Sequence, residues 1–185
     1  MRRALIIAVA VALAGCVNPR SPYDSTENWL IREDPVRPFA VPADIFYVQG
    51  DLYTGAAKLA PMNFYVQSEV GKGRFKGIAR VFAPLVASED DLKRAFHWYL
   101  RGHHDKRRRP FIFIGEGKGG AFLKKYEQEH SGALADIGLI ASFYTDDARK
   151  GFVDDDMVKE IKDAIARTRY KAMWGREMPK GAQKK

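Results

Sequence analysis

Residues 110–122 read PFIFIGEGKGGAF, and this stretch decides the fold of the chain. The apolar run from Phe111 to Ile114 has the length and composition of a short buried strand. A glycine-rich turn follows, and the next segment has an apolar face formed by Phe122, Leu123 and Tyr126. A strand, a tight turn and a helix in this order form the frame of a nucleophile elbow, G-x-S-x-G. Gly117 stands where the serine would be, so the frame has no hydroxyl to activate.

The turn therefore predicts a degenerate elbow with no catalytic residue, in which Gly117 lies at the tip of the turn with a positive φ and faces a shallow depression. Gly115 and Gly119 are its flanking glycines, and Glu116 and Lys118 complete it. Backbone N–H groups at a helix N-terminus bind anions, so Lys118 and Gly119 are candidate ligands for a carboxylate or phosphate. The alternative is that Lys118 is an ordinary solvated lysine in the first helical turn.

The histidines give a second indication that serine chemistry is absent. An elbow enzyme orders its triad as serine, acid and histidine along the chain. The last histidine is His130, and the 55 residues after it contain none. Asp146 and Asp147 could occupy the acid position or could be ordinary turn residues, but an acid without its imidazole does not catalyse. We therefore expect both nucleophile and base to be missing.

Four segments together resemble the family called domain of unknown function 3089. Residues 43–48 read ADIFYV, 77–84 read GIARVFAP, 95–100 read AFHWYL and 109–119 read RPFIFIGEGKG. Their order is similar to the family pattern over roughly residues 28–145. The resemblance implies an α/β-hydrolase-like fold. The resemblance does not imply the family's activity for this chain, because Gln49 stands at the position of the family's histidine and Gly117 at the position of its serine.

Strand-like and helix-like segments alternate along the chain. We predict strands over about 43–48, 77–82, 110–114 and 137–144, and helices over about 89–101, 118–129 and 155–168. Ser88 is expected to cap the first helix, and Asp154, Asp155 and Asp156 are expected to act as caps and dipole partners at the start of the last helix. The alternation predicts a three-layer α/β domain with helices on both faces of a mostly parallel sheet. Its four or five strands would make a shortened hydrolase-like core without a lid domain.

The N-terminus carries the pattern of a lipoprotein signal peptide. Arg2 and Arg3 precede the apolar run 4–12, and Leu13-Ala14-Gly15-Cys16 follows. Its resemblance to bacterial lipoproteins implies cleavage before Cys16 and lipid attachment to the Cys16 thiol. Cys16 is the only cysteine, so no disulfide forms within one chain. Val17 rather than aspartate after Cys16 implies an outer-membrane protein facing the periplasm.

These signals divide the chain into four parts. They are a signal peptide over 1–15, a tether over 16–30, an α/β-hydrolase-like domain over 31–172, and a basic, disordered tail over 173–185. In the tail, we expect Trp174 to pack back onto the domain.

The charge of the chain limits the class of partner. The whole sequence has a net charge of +8, and removing Arg2 and Arg3 with the signal peptide leaves 29 basic and 23 acidic residues. That excess is too small to indicate a nucleic-acid-binding protein. The basic stretch His103 to Arg109 indicates either a solvated loop or a contact with anionic lipid or an envelope protein. The membrane itself is expected to be reached through Cys16.

Three further interpretations remain open. Gly115, Gly117 and Gly120 match G-x-G-x-x-G, which favours a dinucleotide site, although two strands precede it and Asp146 is later than the usual acid. An active esterase-like enzyme would need an unusual nucleophile such as Ser131 or Ser142. A calcium site could combine Asp146 and Asp147 with the acids 154–156, but the spacing of a known loop is absent. No cofactor and no metal are predicted.

Overall fold

A computed structural model describes residues 29–32, 42–50, 74–75, 77–84, 86, 88–104, 109–146 and 152–179. Within these residues five strands and three α-helices form one α/β unit. The strands are β1 (Trp29–Arg32), β2 (Ala43–Gly50), β3 (Ala79–Pro84), β4 (Phe111–Glu116) and β5 (Leu139–Thr145). The helices are α1 (Glu89–Tyr99), α2 (Gly117–Asp136) and α3 (Asp155–Trp174), and a π-helical turn, Leu100–His104, extends α1.

The sheet has the strand order β1-β3-β2-β4-β5. Strands β3, β2, β4 and β5 are parallel, and β1 pairs antiparallel with β3 at one edge. The prediction of a mostly parallel sheet of four or five strands is confirmed. Strand β1 was not predicted: Trp29 and Leu30 belong to it rather than to the tether, so the ordered sheet begins before residue 31.

Helices cover both faces of this sheet, as the alternating pattern predicts. On one face, α1 and α2 pack through Phe96 and Leu123 against Phe46 and Phe113 of the strands. On the other face, Ile161 and its neighbours in α3 pack against the opposite set of strand side chains. Because β2, β3 and β4 are buried between the two layers, they place apolar side chains on both faces, and their sequences do not alternate strictly between apolar and polar residues.

Helix starts agree with the sequence, but two helix ends do not. Ser88 accepts a hydrogen bond from the Asp91 amide, and Asp154 accepts one from the Met157 amide at 2.8 Å. Helix α3 continues to Trp174, beyond the predicted end at 168, and stops at Gly175, which has φ 63°. No glycine or proline interrupts residues 155–174, so nothing ends the helix earlier. Helix α2 likewise runs past 129 to Asp136, with non-helical dihedral angles at His130.

The order of the strands creates a switch point beside β2. The chain passes from β2 to β3 on one side and then returns to β4 on the other side. At such a point the connections leaving the carboxyl ends of neighbouring strands diverge, and α/β proteins bind ligands in the resulting crevice. The carboxyl ends of β2 and β4 are Gly50 and Glu116, so the fold places the predicted elbow at its expected ligand-binding position.

Candidate functional site

The turn after β4 has the order of elements and the left-handed glycine that the elbow pattern predicts. Strand β4 ends at Glu116, and α2 begins immediately at Gly117. Gly117 has φ 55°, a left-handed conformation that glycine adopts without the clash that a Cβ would create. The prediction of a positive φ at Gly117 after a strand is confirmed.

Two glycines bring the strand and the helix into direct backbone contact. A Cβ on Gly115 would lie 2.6 Å from the Gly120 Cα and 3.0 Å from the Tyr144 ring. A Cβ on Gly120 would lie 2.5 Å from the carbonyl carbon of Gly115. Neither position has room for any side chain. The helix N-terminus is therefore held tightly against the end of β4.

The turn exposes one side chain, that of Lys118. Gly117, Gly119 and Gly120 are buried, so Gly117 does not form the open tip that the elbow comparison predicts. The Lys118 ammonium lies 5.8 Å from the centre of the Phe122 ring, an attractive cation–π arrangement along the helix. The side chain of Glu116, the N-cap residue, makes no hydrogen bond to the helix N-terminus. An anionic ligand would therefore approach this end of α2 beside Lys118.

A buried carboxylate lies directly before the turn, on the side away from α2. The Tyr47 hydroxyl donates a hydrogen bond to Oε1 of Glu116, and both side chains are essentially inaccessible to water. Tyr47 belongs to the core under α3, whereas α2 covers the other face. Gln49 pairs in register with Glu116, the residue directly before Gly117, so positions 49 and 117 lie at the same edge of the sheet. Sequence reasoning missed the Tyr47–Glu116 contact.

The described histidines and serines do not assemble a triad at this turn. His104 is buried against the rings of Tyr99 and Phe111, and His130 packs on Tyr126 with ring centres 4.5 Å apart. Ser131 lies 14 residues along α2 from Gly117, which corresponds to about 21 Å of helix. Ser142 donates its hydroxyl to Oε1 of Glu127 at 2.9 Å. Neither serine is paired with a histidine among the residues that the structure describes.

The opposite edge of the sheet holds a buried ionic cluster that the sequence analysis did not identify. Arg80 donates from Nε to Oδ1 of Asp44 at 2.8 Å and from Nη2 to Oδ2 at 2.7 Å. The Tyr99 hydroxyl donates to Oδ2 of the same aspartate at 3.0 Å, and Nη1 of Arg109 lies 3.8 Å from Oδ1. Asp44 and Arg80 are completely buried. One carboxylate thus organises the amino edge of β2, β3 and β4.

This cluster has the chemistry of a structural support rather than of a reaction centre. Burial raises the pKa of the Tyr99 hydroxyl well above its usual value, and the adjacent Asp44 charge raises it further. The phenol therefore stays protonated and serves as a hydrogen-bond donor. Two-point contact with Arg80 satisfies both carboxylate oxygens, which a buried charge requires. Asp44, Arg80 and Tyr99 each belong to a segment that carries the family resemblance.

Two residues of the predicted basic patch at His103 to Arg109, His104 and Arg109, face inward. His104 is buried, and Arg109 reaches Asp44 with only 10 % of its side chain exposed. Residues 105–108 lie outside the described residues, and so does the side chain of His103. Arg109 and His104 are thus unsuited to contact a lipid surface.

The acidic candidates take local structural roles. Asp154 is the N-cap of α3, and Asp155 accepts from Nη1 of Arg74 at 2.7 Å. Asp146 is exposed directly after β5, whereas Asp147 is outside the described part of the chain. The described residues contain no cluster of potential metal ligands, and none of their helices is long and apolar enough to cross a membrane. Residues 1–15 and Cys16 also lie outside the described ranges.

Comparison with known proteins identified no relative of this chain. The chain matches no protein-family model, no curated protein and no solved structure. Its functional interpretation therefore depends on the geometry of the Gly117 turn and on the sequence.

Proposed function

We propose that this protein is a lipid-anchored envelope protein whose α/β-hydrolase-like domain binds an anionic group and does not hydrolyse esters. The observation that carries the proposal is Gly117, which adopts the elbow conformation at φ 55° without a nucleophile. Serine catalysis needs an activated hydroxyl and a general base, and neither is found at the described carboxyl edge. What the turn retains is its capacity to bind.

The binding capacity comes from the start of α2. The first N–H groups of a helix lack intrahelical acceptors and carry partial positive charge, and both effects favour an anion. Lys118 adds a full positive charge at the exposed side of this turn. The Glu116 carboxylate points to the α3 face, where Tyr47 donates to it, so it does not occupy the helix N-terminus. A carboxylate or phosphate of a ligand fits this arrangement.

Phosphate titration followed by amide NMR tests the binding step. We expect inorganic phosphate to shift the Lys118 and Gly119 amide resonances. Lys118→Glu should abolish the shift, because it replaces the attracting charge with a repelling one. Lys124→Glu is the matched control, since Lys124 is also exposed on α2 but lies further along the helix. Unchanged resonances at 118 and 119 in the wild type would contradict an anion site at the turn.

Esterase assays test the non-catalytic part. We expect p-nitrophenyl acetate to be hydrolysed no faster than in buffer, and Gly117→Ser to remain inactive because no base accompanies the new hydroxyl. Turnover by the wild type that a single change at Ser131 or Ser142 removes would instead support an enzyme with an unusual nucleophile.

One observation favours dinucleotide binding as a second candidate function. Asp146 is exposed directly after β5, the strand beside β4, which is where the acid that binds a ribose lies in dinucleotide-binding folds. The Gly115–Gly120 contact also matches the close strand–helix packing that such folds need. Quenching of tryptophan fluorescence by NAD or FAD, lost in Asp146→Ala, would favour this function over binding of a simple anion.

A further inference from the structure

The C-terminal end of α3 exposes apolar side chains that the core does not use. Three large apolar residues are exposed in the described part of the chain, and two of them, Met173 and Trp174, are adjacent. Met173 is 73 % exposed and Trp174 is 59 % exposed. The expectation that Trp174 packs back onto the domain is wrong. Its described ring partner is Tyr170, one turn earlier on the same helix, with ring centres 6.3 Å apart.

Basic side chains surround this apolar pair. From residue 167 onward the sequence has seven basic residues and one acidic residue, Glu177. Glu177 is paired with Lys171 at 2.7 Å. Among the described residues, Arg167, Arg169 and Arg176 have no acidic partner. We call the exposed residues Arg167, Arg169, Met173 and Trp174, together with the half-buried Tyr170, the α3 end surface.

The helical period places these residues on one broad face. Positions 169 and 173 are one turn apart, as are 170 and 174. Arg169 is therefore a neighbour of Met173 on the helix surface, and Tyr170 is a neighbour of Trp174. Beside Arg169 lies a shallow hollow of about 200 Å³, lined by Pro42, Ile78, Ile165 and others. Pro42 and Ile78 precede β2 and β3. The α3 end surface is therefore near the amino edge of the sheet, opposite the Gly117 turn.

We propose that the α3 end surface docks on an anionic lipid bilayer. Tryptophan and tyrosine favour the interface between water and hydrocarbon, because their rings are apolar but carry a hydrogen-bonding group. The positive charges of the arginine side chains beside them complement the negative charges of anionic headgroups. A second copy of the chain is a poor occupant, since it would present the same positive surface. Docking at this edge leaves the Gly117 turn accessible from the opposite side.

The proposal differs from attachment through Cys16 and does not depend on it. A lipid anchor fixes the distance of a domain from the membrane only loosely, whereas a contact through α3 would also fix its orientation. The test must therefore report on α3 itself rather than on vesicle binding by any part of the chain.

Oxidation of Met173 by hydrogen peroxide, followed by peptide mass spectrometry, provides such a local readout on the full chain. We expect vesicles with about a third phosphatidylglycerol to slow Met173 oxidation about threefold or more at low salt, and phosphatidylcholine vesicles to slow it little. About 0.5 M NaCl should restore the rate, because it shortens the screening length to roughly 4 Å. Met157, which lies on the buried face of α3, is the internal reference.

Charge-reversal variants complete the test. Arg167→Glu with Arg169→Glu should remove the protection of Met173, whereas Arg94→Glu with Lys124→Glu should retain it. The control pair makes the same change in net charge at exposed positions on α1 and α2, which cover the other face of the sheet. Equal protection by the two kinds of vesicle, or protection that survives high salt, would overturn the proposal. Protection without vesicles that rises with protein concentration would also overturn it, in favour of self-association.

Discussion

Gly115 and Gly120 are in backbone contact, so that a Cβ placed on either residue would lie within 2.6 Å of the other. They belong to β4 and α2, and their contact sets the distance between the last residues of the strand and the first turn of the helix. The elbow frame thus depends on two glycines that flank Gly117 and do not themselves adopt the left-handed conformation. Packing at this point is tested separately from the chemistry of the turn.

We expect Gly115→Ala to lower the free energy of unfolding by about 1–3 kcal/mol, because the added methyl group must displace α2 or the Tyr144 ring. Gly132→Ala is the control. Gly132 lies in α2, and a Cβ added there would have no atom within 4 Å. That change should stabilise the protein by about 0.5–1 kcal/mol. Urea unfolding measures both. Equal effects of the two substitutions would show that the strand and helix are not in the close contact described.

Removing the charge of Asp44 should destabilise the domain strongly. Asp44→Asn leaves Arg80 buried without its carboxylate, and breaking a buried ion pair in this way costs about 3–5 kcal/mol. Glu160→Gln, on the exposed side of α3, should change the stability by no more than about 0.5 kcal/mol. The measurement is again the free energy of unfolding. A loss below about 1 kcal/mol for Asp44→Asn would mean that the cluster does not support the amino edge.

Stability should fall in alkali, and Tyr99 should contribute to the fall. Its pKa is raised in the folded protein, above all by burial, so the unfolded chain loses this proton first as the pH passes about 10. The contribution of Tyr99 to the free energy of unfolding is therefore fully present below about pH 10. Above that pH it falls by about 1.4 kcal/mol per pH unit for one proton. Tyr99→Phe should reduce this slope. Identical slopes for wild type and Tyr99→Phe between pH 9 and 12 would contradict the assignment.

Replacement of Cys16 tests the lipid anchor. Cys16→Ala should abolish incorporation of a clickable palmitate and leave the precursor uncleaved, because the thiol carries the lipid that the lipoprotein peptidase recognises. Asn18→Ala, two residues away, should be labelled like the wild type. Equal labelling of wild type and Cys16→Ala would show that the lipobox interpretation is wrong.

The sheet was predictable from sequence because its central strands are apolar on both faces. Phe111 to Ile114 is such a run, and its short length, its Phe and Ile content and the glycines that follow it favour a strand over a helix. Strand β1 escaped prediction because Trp29–Arg32 has only four residues and lies at an edge. The end of α3 was placed too early because the apolar periodicity stops after Ile165 although the helix continues as an exposed surface.

The site was predictable only where a local pattern determines it. Gly117 could be assigned a positive φ because the strand, the turn and the helix are consecutive in sequence. The Tyr47–Glu116 contact spans 69 residues, and the Asp44–Tyr99 contact spans 55. Such pairs depend on strand order and register, which no single stretch of sequence encodes. Burial of the glycine turn depends on the same long-range packing.

The cluster at Asp44 has a consequence for how such chains diverge. Asp44, Arg80, Tyr99 and Arg109 come from the four separate segments that carry the family resemblance, yet all meet at the amino edge. Changes in any of these four segments would therefore act on folding as well as on local structure. Positions 49 and 117 lie at the other edge and can change without disturbing the cluster.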